Sequence, residues 1–331
     1  MRSVPLIAET PAAIADLIAH WREVALTEQP IPNDLSDLVL LQTELPTDAH
    51  NAPLLFLADE REAFERRHAF WLKTAPGRYG DEATTKAEDL TDHPGCGVRH
   101  HRPAGKSEGD IVFLHGGGWV LGSTDTHHRF CQILCDATSM NVYSLHYPRA
   151  PEHSSDTILQ AIDLAVRGIK TAPTLPRILA GDSAGATLGL LTALRSENPS
   201  EWDGFAWLYG PLDPTLSLRS HRVLADFGSL TKDKMAWYWA QFLGEKPPHL
   251  LFDPTRLSRL PACFLACGGQ DLLLDDTLNL AQFLTDNSIA VTLHVQAGMP
   301  HGYFQMTDHV KAAQQSAERF FDWVERLSQK R

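Results

Sequence analysis

From about residue 97 onward the chain alternates between two textures. Short apolar runs occupy 111–114, 142–145, 178–180, 205–209, 263–267 and 291–295, rich in Val, Ile, Leu and Phe. Between most of them the apolar positions switch to helical spacing, as over 155–169 and 275–285. Strands that are apolar on both faces and alternate with helices predict a mostly parallel central sheet covered by helices on both sides.

The pattern differs at two places. Residues 1–75 hold two helical patterns without an intervening strand. One spans 10–27, with Thr10 as N-cap and Pro11 as the first helical residue, and the other spans 59–73. A proline-rich link (Pro30, Pro32, Pro46, Pro53) joins them, so 1–75 reads as a helical cap segment and 76–331 as the α/β core. The second break lies at about 211–255, longer than one crossover needs and containing an aromatic helix after Thr231 with Trp237, Tyr238 and Trp239. It reads as a cap insertion at the carboxyl edge of the sheet, where such sheets bind ligands.

Composition narrows the partners. The 331 residues carry a formal net charge of −12 and no basic run, which argues against nucleic acid. No stretch reaches 18 apolar residues, so no membrane span is expected. Pro5, Glu9, Pro11 and Asp16 interrupt the N-terminal run where a signal peptide needs an unbroken apolar core. Five cysteines without CxxC spacing suit free thiols in a reducing cytoplasm.

Chemistry concentrates in a few loops that follow the apolar runs. Gly181-Asp182-Ser183-Ala184-Gly185 stands between a strand and a helix, where two glycines permit a sharp turn that lifts one serine hydroxyl clear of the sheet. His115-Gly116-Gly117-Gly118-Trp119 follows the run 111–114, and its glycines free backbone N–H groups to face an anion. A dinucleotide fingerprint counted from Gly116 fails, because Leu121 stands where glycine is required. A serine nucleophile needs a base and an orienting carboxylate, in the chain order nucleophile, acid, histidine. Asp271 follows the run 263–267, and His301 lies between Pro300 and Gly302 after the run 291–295. Asp275 and Asp276 compete with Asp271 but fall in the first turn of the next helix pattern.

HGGGW at 115–119, GDSAG at 181–185, Asp271 in DLLLDD, His301 in PHGYF and YPRAPEH at 147–153 together resemble the hormone-sensitive-lipase-like carboxylesterases of the α/β-hydrolase superfamily, nearest its acetyl-esterase-like branch. Pro148 and Ser154-Ser155 depart from that family's pattern and bear on loop shape. The resemblance implies an α/β-hydrolase fold and hydrolysis of short- to medium-chain esters without metal or organic cofactor. It makes Ser183 the nucleophile, His301 the general base and then acid, and Asp271 its orienter. The N–H groups of Gly117, Gly118 and Ala184 would form the oxyanion hole, with His115, Gly116, Gly181, Asp182 and Gly185 shaping the two loops. Trp119 and Tyr209 are candidate substrate-binding aromatics, and Trp237, Tyr238 and Trp239 cannot all face one way on their helix. The pairs His100-His101 and His127-His128 lack metal-ligand spacing and read as surface residues. Related serine hydrolases acting on amides or lactones, or by acyl transfer, share this apparatus; receptors on the same fold replace the histidine that this chain keeps at 301. The resemblance leaves monomer and homodimer open.

Overall fold

The apolar runs become strands because every residue along them can be buried. In β4 (Asp110–Leu114) and β7 (Gly204–Leu208) all positions are buried, although alternate side chains point to opposite faces. Both faces of the sheet are therefore covered. A computed structural model of the chain describes residues 7–35, 57–73, 85–90, 92–198, 200–246 and 254–329.

In chain order the strands are β1 (Ile7–Ala8), β2 (Lys86–Leu90), β3 (Gly97–Arg102), β4, β5 (Asn141–His146), β6 (Arg177–Asp182), β7, β8 (Ala262–Gly268) and β9 (Val291–Gln296). They lie in one sheet in the order β1-β9-β8-β7-β6-β4-β5-β3-β2. The pairs from β5 through β4, β6, β7 and β8 to β9 are parallel, while β1, β2 and β3 pair antiparallel at the margins. This is the α/β-hydrolase architecture.

The helices are α1 (Pro11–Glu23), α2 (Leu57–Lys73), α3 (His128–Thr138), α4 (Ser155–Gly168), α5 (Ala184–Arg195), α6 (Arg219–Val223), α7 (Lys232–Leu243), α8 (Leu274–Asp286) and α9 (Lys311–Ser328). Thr10 caps α1 by accepting from the Ala13 N–H, as its sequence predicts. Ser154 caps α4 in the same manner at Thr157. Phe205, Phe264 and Phe320 are fully buried in the core, with Trp323 at 4% exposure beside them.

Three features differ from the sequence reading. Residues 7–8 join the sheet edge against β9, and α1 packs on α8, burying Ile14, Leu17, Ile18 and Trp21 in the main core. The N-terminal region thus contributes to the sheet as well as to its cover. Strands β2 and β3 escaped notice because KAEDL and GVRHHR carry too many polar residues to read as buried. The histidine pairs are not on the surface: His100, His101 and His127 are buried and His128 is half-buried, the first two because β3 pairs with β5 and α3 lies over it. Pro46, Pro53 and the Pro247-Pro248 pair lie outside the described residues.

Candidate active site

Four parallel strands deliver their carboxyl ends to one edge, and each bears a functional loop. Strand β6 ends at Asp182, and α5 begins at Ala184, leaving Ser183 alone to make the turn. It does so at φ 50° and ψ −124°, a strained conformation for a residue with a Cβ. The flanking glycines are required by close approach. A Cβ on Gly181 would meet the Gly185 carbonyl oxygen at 2.4 Å, and one on Gly185 would meet the Leu114 carbonyl oxygen at 2.0 Å. The Ser183 N–H is tied to the Leu208 carbonyl at 2.8 Å, so the turn is held against β7.

Three side chains from three strand ends meet there. Ser183 Oγ lies 2.8 Å from His301 Nε2. The other ring nitrogen, Nδ1, stands 2.9 and 3.0 Å from the two Asp271 oxygens. Asp271 is fully buried and accepts a further hydrogen bond from the Leu273 N–H at 2.8 Å. An ionised carboxylate in that position fixes the imidazole so that Nε2 faces the serine. Asp275 and Asp276 do other work. Asp275 accepts from the Ser220 N–H, while Asp276 accepts from the Leu212 and Asp213 N–H groups and meets His221 Nε2 at 2.7 Å. Both anchor the insertion to the first turn of α8.

The glycine-rich loop after β4 comes down beside the serine. Gly117 (φ 120°) and Gly118 (φ 60°) hold backbone conformations that side chains rarely adopt. The N–H groups of Gly117, Gly118 and Ala184 donate to no acceptor among the described residues, and all three residues line the same cavity as Ser183 and His301. Aligned free amides beside a reactive oxygen, one at a helix N-terminus, suit a developing oxyanion.

Support for this loop comes from beneath. Asp182 Oδ1 accepts from the Gly116 N–H at 2.8 Å, and His127 Nε2 lies 3.1 Å from the same oxygen. His127 turns its Nδ1 to Thr126 Oγ1 at 2.8 Å. His115 stacks on Tyr147 with centroids 4.2 Å apart, and the Tyr147 hydroxyl donates to the His115 carbonyl at 2.7 Å. Complete burial holds the His115 imidazole well below its ordinary pKa, so it stays neutral. Arg149 donates to the Gly122 carbonyl. From α2, Arg61 donates to the Val120 and Ala150 carbonyls and forks onto Glu152 at 2.7 and 2.8 Å. His127 and Arg61 were missed in the sequence, since neither sits in a strand-end motif and their partners lie far along the chain.

The cavity beside Ser183 measures about 530 Å³. Trp119 and Tyr209 do not face it. Trp119 is fully buried between Trp239 and Phe242, with centroids 4.4 Å from each, because its φ of 63° turns the side chain away from the loop's open face. Tyr209 is also fully buried and sets its ring edge against His301 at 5.1 Å, behind the imidazole. Of the three insertion aromatics it is Tyr238 that reaches the cavity, close enough to Gly118 that a Cβ there would lie 2.3 Å from its ring. From α2, Phe64 and His68 complete this side.

A family model for the alpha/beta hydrolase fold matches residues 111–305, and the chain belongs to that family. Within it, the chain is 29% identical over 229 residues to the carboxylic ester hydrolase LipN of Mycobacterium tuberculosis, a match covering 63% of this chain and 61% of LipN. It thus spans less than two thirds of that relative's length. Among solved structures, an esterase of Pyrobaculum calidifontis superposes with a TM-score of 0.75 at 22% identity, covering 90% of this chain and 99% of that one. A hormone-sensitive lipase from a metagenome library superposes at 0.77 with 25% identity, covering 91% and 99%. No helix among the described residues is long and apolar enough to cross a membrane.

Proposed function

We propose that the chain is a serine carboxylesterase of the hormone-sensitive-lipase-like type, hydrolysing short- to medium-chain carboxylic esters through an acyl-enzyme. The observation that carries this reading is the continuous relay from Ser183 Oγ through both nitrogens of His301 to Asp271, within hydrogen-bond distance at every step. His301 Nε2 takes the serine proton as Oγ attacks the ester carbonyl, and Asp271 stabilises the imidazolium that results. The carbonyl oxygen becomes an oxyanion held by the N–H groups of Gly117, Gly118 and Ala184, each such donor contributing roughly 10²–10³ in rate. The alcohol leaves with the proton from His301, and water repeats the sequence on the acyl-enzyme.

A cavity of about 530 Å³ with Tyr238 against the oxyanion loop favours short acyl groups over long ones. The five cysteines are free and buried, which supports a reducing, cytoplasmic setting. The test is hydrolysis of p-nitrophenyl esters from acetyl to dodecanoyl by wild type beside Ser183→Ala. The expected result is a maximum at acetyl to hexanoyl and silence in the variant. Inert wild type with intact folding would overturn the esterase reading and favour ligand binding without catalysis.

A further inference from the structure

The walls of the cavity are of two kinds. The insertion contributes Leu230, Met235 and Tyr238 beside Lys234, whose ammonium donates to the Ser229 carbonyl at 3.2 Å, whereas α3 and the turn after His301 contribute Arg129, Gln132, Gln305 and Asp308. Arg129 forks onto Asp308, with Nε 2.5 Å from Oδ2 and Nη2 3.2 Å from Oδ1, and this clasps α3 to the turn. Taken together the pair is neutral, so it gives the wall polarity without selecting an ion of either sign. The groups left over are neutral ones, the two amides and the His128 imidazole, whose Nδ1 is buried without a partner among the described residues. The Gln132 side chain makes no hydrogen bond among the described residues. The Gln305 amide nitrogen is buried without a partner among them, an arrangement that costs stability unless something else satisfies it.

An amide offers N–H donors at one end and a carbonyl acceptor at the other. A carboxylate can use only the first and an ammonium only the second, but a hydroxyl gives and accepts at once. We propose that this wall binds the alcohol half of the substrate and that this half is a neutral, hydroxylated alcohol, a polyol or a sugar. The short acyl group lies against Leu230, Met235 and Tyr238. The assignment rests on the ester-hydrolase reading above and names its substrate class.

The test compares three butyrate esters that share one acyl group: those of butan-1-ol, butane-1,3-diol and erythritol. In wild type, kcat/KM is expected to rise with each step in hydroxyl number and to favour the erythritol ester over the butan-1-ol ester about tenfold, what one or two net hydrogen bonds supply. Gln132→Leu and Gln305→Leu should each reduce that ratio severalfold, while Gln282→Leu on α8 leaves it intact. A wild-type series that is flat or falls with hydroxyl number overturns the proposal even if no variant folds. So does a ratio that survives both substitutions. If wild type hydrolyses none of the three esters and no p-nitrophenyl butyrate, the esterase reading itself has failed. Turnover of p-nitrophenyl butyrate with no preference among the three sinks the polyol assignment alone.

Discussion

Ser183 and its neighbours are constrained more tightly by backbone than by side-chain packing. At Gly118 the chain holds φ 60° while the Tyr238 ring occupies the place of a Cβ. Alanine there costs about 1–2 kcal/mol for the left-handed backbone alone, and relief of the clash displaces a backbone amide of the proposed oxyanion hole. Gly118→Ala should therefore lower kcat by about 10², read by steady-state kinetics, and Gly118→Ala with Tyr238→Ala should restore only part of it. Asp182 tests the loop from below. Asn at 182 keeps an acceptor for the Gly116 N–H, whereas Ala leaves that donor and His127 buried without it. Asp182→Asn should retain at least about tenfold more kcat than Asp182→Ala and melt at higher temperature. These positions divide by how legible they were. GDSAG and HGGGW could be read because a sharp turn and close approach admit almost nothing but glycine at 117, 181 and 185. Trp119 and Tyr209 could not be placed, because a positive φ of 63° at one and 44° at the other turns the side chain inward, and no composition rule signals that.

Helix α2 is fastened to loops beside the cavity by Arg61, and the insertion is fastened to the first turn of α8 by Asp275 and Asp276. Arg61 reaches from α2 to two loop carbonyls and to Glu152, whose carboxyl it holds down at about 2. Lysine cannot reproduce that fork. Arg61→Lys and Arg61→Met should both raise KM and lower kcat severalfold, with little recovery in the lysine variant, measured on one p-nitrophenyl ester. For the insertion the fastening is deeper. Burial raises the Asp276 pKa while His221 and two backbone amides oppose that rise, and neither side chain of the pair is exposed. Removing one member of such a pair costs about 3–5 kcal/mol. His221→Ala should then lower the thermal midpoint by several degrees, read by calorimetry. At this scale the parallel strands and most long helices were evident from periodicity. The margins β2 and β3 were not, since β2 is exposed along most of its length and the burial of β3 comes from pairing and from α3 above it, contacts that no local pattern records.

The molecule as a whole carries several buried and half-buried imidazoles. Burial holds His100, His115, His128 and His146 below their ordinary pKa and pushes His101 down to about 3. The unfolded chain takes up protons near 6.5 at sites that the folded chain keeps neutral, so their stabilising contribution is complete above that value and drains away as pH falls from 6.5 toward 3. Asp110, Asp163 and Asp276, raised by burial, act in the opposite sense. With histidines outnumbering them, the urea midpoint is expected to fall between pH 7.5 and 5.5. A flat profile over that range would show the imidazoles protonated in place.

Strand β1 has a further consequence for how a copy of this protein is made. Ile7 lies opposite His294 and Ala8 opposite Leu293, so two residues made long before β9 wait for that strand to be synthesised. Contacts of such long separation form slowly, and an open strand edge meanwhile invites pairing with other chains. Strand β9 also leads into the loop that bears His301. The nascent chain therefore shields its sheet edge and gains His301 beside Ser183 from the same late segment.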